Sequence, residues 1–285
     1  MNVLVHEPGI RMGAFIGVFA VMAAWEVISP RRTLVISKST RWANNLTLVV
    51  LNTMALRLAF PVAVTGLALH ANEQGWGILQ QLELHESVSV LVGFVFLDLA
   101  IYFQHVLFHA VPALWRLHRV HHADLDFDVT TGARFHPIEI FLSMAIKFAV
   151  ILALGPPALA VLIFEVVLNT AAMFNHANVR VPLSIDRAAR RFIVTPDMHR
   201  VHHSVLPHET NSNFGFNLSA WDQLFGTYRA QPSMGHAGMT IGLMEYRDPR
   251  QVDRLPGMLW LPFVHSNDEY AIGRRPPPSM PKTSS

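Results

Sequence analysis

Residues 91–122 read LVGFVFLDLAIYFQHVLFHAVPALWRLHRVHH, and this stretch decides the fold. It belongs to an apolar run of membrane-spanning length, Val88–Leu107, that passes directly into His105, His109, His118, His121 and His122. A spanning helix needs about 20 mostly apolar residues, with about 17 as the lower limit. His105 and His109 stand at i, i+4 and share a helix face. His118, His121 and His122 stand at i, i+3 and i+4, again on one face. A span that ends on rows of imidazoles predicts an all-α, integral membrane helical bundle with a histidine-rich, metal-binding cap at one membrane edge.

Working outward, four more apolar stretches have comparable length: Met12–Ile28, Leu46–Leu69, Ile138–Leu154 and Leu159–Phe174. The last two are separated only by Gly155-Pro156-Pro157, a tight-turn signal, and read as a hairpin. Composition agrees. Of the 285 residues, 51% are hydrophobic and only 15% charged, against about 25% charged in ordinary soluble domains. Met1–Arg11 lacks the basic n-region of a cleavable signal, so the first apolar run reads as a retained span. Residues 1–270 read as one membrane-embedded domain with its histidine core at about 98–228. Residues 271–285, rich in proline and serine, read as a disordered tail.

Basic residues orient the spans. Arg31, Arg32, Lys38 and Arg41 follow the first; Arg116, Arg119 and Arg134 follow the third; Arg180, Arg187, Arg190 and Arg191 follow the hairpin. The loop 71–86 has no Lys or Arg. This predicts an outside N-terminus, with the histidines and the C-terminus cytoplasmic. The net charge of +2 gives no reason to expect a nucleic-acid partner.

A second HxxHH follows at His199, His202 and His203, and His176 stands alone at the end of the hairpin. Each HxxHH on a helix presents three imidazoles to one point, and imidazole suits zinc, copper, iron and nickel. With His105 and His109 the set numbers nine donors, too many for one zinc site of three or four protein ligands. It suits two octahedral ions with positions to spare. His136, in Arg134-Phe135-His136-Pro137, stands between a tenth ligand, a supporting group and a core histidine.

The order HxxxH (105–109), HxxHH (118–122) and HxxHH (199–203) resembles the fatty acid hydroxylase superfamily, also called the sterol desaturase family. Supporting phrases are Arg134-Phe135-His136-Pro137-Ile138-Glu139, Asn175-His176-Ala177-Asn178, Thr195-Pro196, and Trp221-Asp222-Gln223-Leu224-Phe225-Gly226-Thr227-Tyr228. Several members carry a paired box where this chain has only His176. The resemblance implies a di-iron cap in which two Fe ions and O2 hydroxylate or desaturate a lipid C–H bond, with no catalytic side chain beyond the metal centre. It also implies electrons from a separate ferredoxin, reductase or cytochrome, since no GxGxxG fingerprint and no cysteine appear in the chain.

Two other functions compete. A membrane zinc hydrolase needs a general base beside its ligands, and HExxH is absent. A metal transporter places its ligands at mid-membrane on broken helices, whereas most of these histidines lie beyond the spans. A soluble-type di-iron carboxylate protein needs Glu-x-x-His pairs, which are also absent.

Three polar residues inside the spans fall on the same helix face as a histidine. Asp98 stands seven residues before His105, and Glu165 and Asn169 stand eleven and seven before His176. These offsets return to within about 20° of one direction at 100° per residue. Metal-bound histidines usually give their second N–H to a carboxylate, carbonyl or water, so the expected role is support of the ligands. The competing expectation for Asp98 is an ion pair with Arg57 or Lys147.

Overall fold

The computed structural model describes residues 2–60, 62–265 and 270–272. Among them every regular element is helical, with isolated bridges such as Pro30–Val179 and Ile193–Leu218 in place of strands. Beyond Ile272 the expected tail lies outside the described residues. The first half contains α1 (Asn2–Val5), α2 (Glu7–Ile28), α3 (Lys38–Ala59), α4 (Val64–Glu73), α5 (Glu86–Ala110) and α6 (Pro112–His122). It continues through α7 (Pro137–Leu154) and α8 (Ala158–Asn175). Short elements follow: α9 (Leu183–Ala189), α10 (Pro196–His202), α11 (Pro207–Thr210), α12 (Ala220–Phe225), α13 (Gly235–Gly238), α14 (Pro249–Val252) and α15 (Leu255–Trp260).

Among the described residues, five helical segments are long and apolar enough to cross a membrane. One expectation is corrected in its details. The run Leu46–Leu69 is not one helix: α3 ends at Ala59 and α4 starts at Val64. Pro61 falls in the gap, and a proline ends a helix because it lacks the N–H and crowds the preceding residue.

The hairpin reaches across the bundle. At its tip Gly155 adopts φ +64° and caps α7. A Cβ there would lie 2.2 Å from the Trp76 carbonyl oxygen, so only glycine fits. Gln80 Nε2 donates to the Gly155 carbonyl at 2.7 Å, and Asn72 Nδ2 to the Pro156 carbonyl at 3.0 Å. The tip is therefore held by the last turn of α4 and the segment between α4 and α5, at the end of the bundle away from the histidines.

α2 lies along α8, α5 against α8 and α6, and α4 against α7 and α8. Leu97, Ile101, Ile151, Val161 and Phe164 form the apolar core between these helices. At the histidine end a polar frame takes over. Arg41 of α3, fully buried, makes a two-pronged pair with Asp124 (Nε and Nη2, both 2.8 Å). Its Nη1 reaches Asp128 at 2.5 Å. Arg134 Nε donates to the Val120 carbonyl at 2.8 Å. Glu26 of α2 accepts from the backbone N–H groups of Val129 and Asn178. These contacts pin the 123–135 connection, and with it the direction in which α6 presents its histidines.

Candidate metal centre

Pro112 opens α6 directly after α5 ends at Ala110, a favoured place for proline because the first helical N–H needs no partner. The bend folds α6 back over the end of α5. α10 starts at a Thr195 cap whose side chain accepts from Met198 N–H, and carries His199 and His202, with His203 as its C-cap. His176 caps the end of α8. All nine histidines are buried.

They sort into two groups whose ligand-capable nitrogens lie within 4.8 Å of one another: His105, His109, His118, His122 and His202, and His121, His176, His199 and His203. Here the structure corrects the expectation that each HxxHH converges on one point. On α6, His118 and His122 go to the first group and His121 to the second; on α10, His199 and His203 go to the second and His202 to the first. Residues four apart differ by only about 40° around a helix, whereas neighbours differ by about 100°. Each box thus spans both groups. They abut where the His122 and His203 rings stack, with centroids 4.6 Å apart.

Within the groups the Nε2 atoms converge. His105 and His118, His109 and His122, His121 and His176, and His176 and His199 each approach Nε2 to Nε2 at 3.1 Å. Two nitrogens about 2.1 Å from one ion and at right angles stand about 3 Å apart. His202 Nε2, both ring nitrogens of His203, and the Nδ1 atoms of His121 and His199 are buried without a hydrogen-bond partner. Buried polar atoms are normally paired, so His202 Nε2 and one nitrogen of His203 fit metal positions, whereas the Nδ1 atoms of His121 and His199 lie across the ring from the Nε2 atoms that converge.

The outer nitrogens fix the tautomers. Nδ1–H of His105 donates to the Phe214 carbonyl (2.8 Å), of His118 to Glu139 (2.6 Å), of His176 to the Ala172 carbonyl (2.8 Å) and of His202 to the Ser212 carbonyl (2.7 Å). His109 Nδ1 meets Asn211 Oδ1 at 3.0 Å. The carbonyl and amide oxygens can only accept, and Glu139 accepts as a carboxylate, so Nε2 keeps its lone pair for a metal. Burial pushes His118 down to about 3. Burial and the neighbouring imidazoles hold His121, His122, His199, His202 and His203 well below the ordinary range. All six stay neutral, the form that ligates.

The other expected residues stand apart from the two groups. His136 caps α7, its Nδ1 accepting from Ile138 N–H and its Nε2 facing the Leu259 carbonyl at 3.3 Å. Asp98 reaches neither a histidine nor Arg57 nor Lys147. It accepts from Asn217 Nδ2 and Trp221 Nε1, both at 2.8 Å, and from Leu218 N–H at 3.3 Å. It therefore anchors the loop whose Phe214 carbonyl holds His105. Glu165 pairs with Lys147 at 2.6 Å and Arg11 at 3.0 Å, and Asn169 donates to its own helix at the Glu165 carbonyl. Neither touches a ligand, because both lie about two to three turns from the end of α8. Sequence reasoning did not single out Glu139, Asn211 or Arg41 for any of these roles. A carboxylate at the start of an apolar span is costly unless partnered, and that signal pointed to Glu139.

Residues 90–227 match the family model described as fatty acid hydroxylase. The chain is 30% identical to the ornithine lipid hydroxylase OlsE of Rhizobium tropici over 195 residues, 67% of this chain and 55% of that protein. It is 27% identical to the alkylglycerol monooxygenase of Homo sapiens over 153 residues, 52% of this chain and 32% of that protein. It is 29% identical to the cholesterol 25-hydroxylase of Rattus norvegicus over 154 residues, 53% of this chain and 50% of that protein. The chain thus spans about half, or a third, of the length of these relatives. No solved structure matches it.

Proposed function

We propose, from the premise that residues 90–227 are a fatty acid hydroxylase domain, that the protein is a membrane di-iron oxygenase that hydroxylates or desaturates a lipid C–H bond. The observation that carries this reading is the pair of buried imidazole groups, with five and four donors. His105, His109, His118, His122 and His202 would hold one iron, and His121, His176, His199 and His203 the other. When bound, the irons supply O2 activation and removal of hydrogen from an unactivated C–H bond, chemistry that belongs to the metal. The three relatives act, by their names, on an ornithine lipid, an alkylglycerol and cholesterol. A lipid is the substrate class these share.

The protein's own part is to fix the imidazoles, exclude water and position the substrate. Glu139, Asn211 and the carbonyls of Phe214, Ala172 and Ser212 hold the rings. Two aromatic side chains touch both groups. Phe135 lies 6.2 Å from His118 and 4.5 Å from His121, and Phe216 lies 6.1 Å from His105 and 6.2 Å from His199, between ring centroids. Both are only partly buried, unlike Phe108, Trp115, Phe127 and Phe214 around the same histidines. Phe216 also packs on the apolar core between α5 and α8. We assign these two rings to the bilayer-facing mouth of the centre. Electrons would come from a separate carrier. The arginine distribution supports an outside N-terminus with the histidines on the cytoplasmic side.

Metal analysis and lipid analysis test the proposal together. Purified protein should hold two irons per chain, and His121→Ala or His202→Ala should remove iron and turnover while the protein still inserts. Cells with and without the protein should differ in one hydroxylated or desaturated lipid by mass spectrometry. Full iron occupancy and turnover in both variants would sink the assignment. Reporter fusions at Gln80 and at the C-terminus should read outside and inside; the reverse would overturn the orientation alone.

A further inference from the structure

Outside the metal centre, a surface on α9, α12 and the 190–193 turn is apolar where a water-facing cap should be polar. Leu183 and Ile185 on α9 are 64% and 57% exposed, Phe192 is 72% exposed and Leu224 on α12 is 69% exposed, with Ile193 and Phe225 also open. These residues form one surface. Ile193 bridges Leu218, Ser219 N–H donates to the Phe192 carbonyl, and Gln223 Nε2 reaches the Arg190 carbonyl. Hydropathy does not mark the segment as a span, because no helix in it exceeds seven residues.

Its height along α5 says what it faces. Trp221 of α12 donates to Asp98 at 2.8 Å, and the Phe225 ring lies 5.1 Å from Phe103. The apolar part of α5 begins at Val88. At 1.5 Å per residue, Asp98 and Phe103 stand about 15 and 22 Å along it. A hydrocarbon core is about 30 Å thick, so α12 lies below the far boundary of the core rather than above it. The surface also continues onto Phe96 and Phe103, exposed on the span itself.

Its rim is cationic. Arg180, Arg187 and Arg191 are exposed. In residues 179–194 the one acid is Asp186, buried against Arg190, and in residues 218–228 the one acid is Asp222, also buried. Apolar side chains at acyl depth with bare arginines at the edge suit an interfacial anchor for anionic lipid. We propose that α9, α12 and the 190–193 turn are embedded in the leaflet on the histidine side, with acyl chains against Phe192 and Leu224 and lipid phosphates against Arg187 and Arg191. This rests on α5 spanning the bilayer but not on the direction in which it does so.

The chain has no cysteine, so single labels can be placed in the full protein. Leu224→Cys and Phe192→Cys would carry a nitroxide in phosphatidylcholine nanodiscs. Leu91→Cys, on the exposed face of α5, and Arg250→Cys, on α14, serve as lipid and water references. Collisions with oxygen and with a water-soluble nickel chelate are compared. The expected result is that Leu224 and Phe192 follow Leu91, oxygen-rich and nickel-poor. Labels that follow Arg250 would place the surface in water and overturn the proposal. So would labels shielded from both reagents with spin–spin broadening, which means a second copy covers the face. A water-like Leu91 would overturn the membrane reading as well, which separates the two failures. For the cationic rim, replacing part of the phosphatidylcholine with phosphatidylglycerol should raise the melting temperature. The Arg187→Gln/Arg191→Gln double variant should lose most of that rise; an unchanged rise would remove the lipid-phosphate assignment.

Discussion

Glu139, in the first turn of α7, accepts the Nδ1–H of His118 at 2.6 Å. The contact ties an apolar helix to the histidine box on α6 and sets which nitrogen of His118 faces inward. A carboxylate in this position also raises the basicity of the ligand. Glu139→Ala should weaken metal binding by about 10–100-fold, the general cost of losing such a partner. Glu139→Gln, which keeps an acceptor oxygen, should lose less. Competition with a graded iron chelator measures this, and equal affinity in wild type and Glu139→Ala would remove the assignment.

Arg41 should prove indispensable to the fold. Burial pushes the Asp124 carboxyl up, but Arg41 and Arg134 more than offset this and hold it below the usual carboxylate range. Removing one partner of a buried ion pair leaves the other uncompensated and costs about 3–5 kcal/mol. Arg41→Gln should therefore collapse the yield of folded protein. Arg41→Lys should restore little, since an ammonium cannot reproduce the two-pronged contact with Asp124. Thermal melts in detergent decide; a lysine variant with wild-type stability would refute the geometric argument.

Much of this architecture was legible in the chain. The spans declare themselves because bilayer thickness sets a minimum apolar length, and eight of the nine histidines stand at spacings that a helix turns to one side. The splitting of each HxxHH between two groups was not legible, because it depends on how α6 and α10 face each other. Those directions are set by buried contacts such as Arg41–Asp124 and Glu26–Val129, between residues 83 and 103 positions apart. Asp98 illustrates the same limit. Its helix face is correct for the histidines, yet its partners come from residues 217–221, over a hundred positions away.

Asp98 therefore acts on stability before it acts on the metal. Asp98→Asn leaves one of the donors from Asn217, Leu218 or Trp221 facing an amide N–H, and an unsatisfied buried group costs about 1–3 kcal/mol. The melting temperature should fall while iron affinity, measured well below the melt, stays near wild type. A large loss of affinity in folded protein would show instead that the 214–222 loop controls His105 tightly.

Metal-free protein should be acid-labile. Burial holds folded His118 at about 3 and pushes His203 well down, whereas an unfolded histidine titrates near about 6.5. Between those values the unfolded chain binds more protons than the folded one, so stability rises with pH. The contribution is complete above about pH 6.5 and is lost progressively as pH falls toward about 3. Denaturation midpoints of chelator-treated protein should drop steadily below neutrality. A midpoint constant from about pH 7 to about pH 5 would contradict the neutral, buried state of these rings.

Phe216 should govern which carbon of the substrate is oxidised. Its ring meets His105 of one group and His176 and His199 of the other, and its far side packs into the core between the spans. Asn175 Nδ2 donates to its backbone carbonyl at 3.0 Å, which fixes the loop at that point. A chain arriving from the bilayer would meet this ring before the imidazoles. Phe216→Ala opens space there without removing a ligand or a ligand's hydrogen-bond partner, so iron content should hold. The product should then shift or spread along the lipid chain, and Phe216→Trp should narrow the range of chains accepted. Fragmentation mass spectrometry of the oxidised lipid locates the new oxygen or double bond. If both variants keep their iron and yield an unchanged positional distribution, Phe216 does not line the substrate path, and Phe135, which meets His118 and His121, becomes the ring to replace.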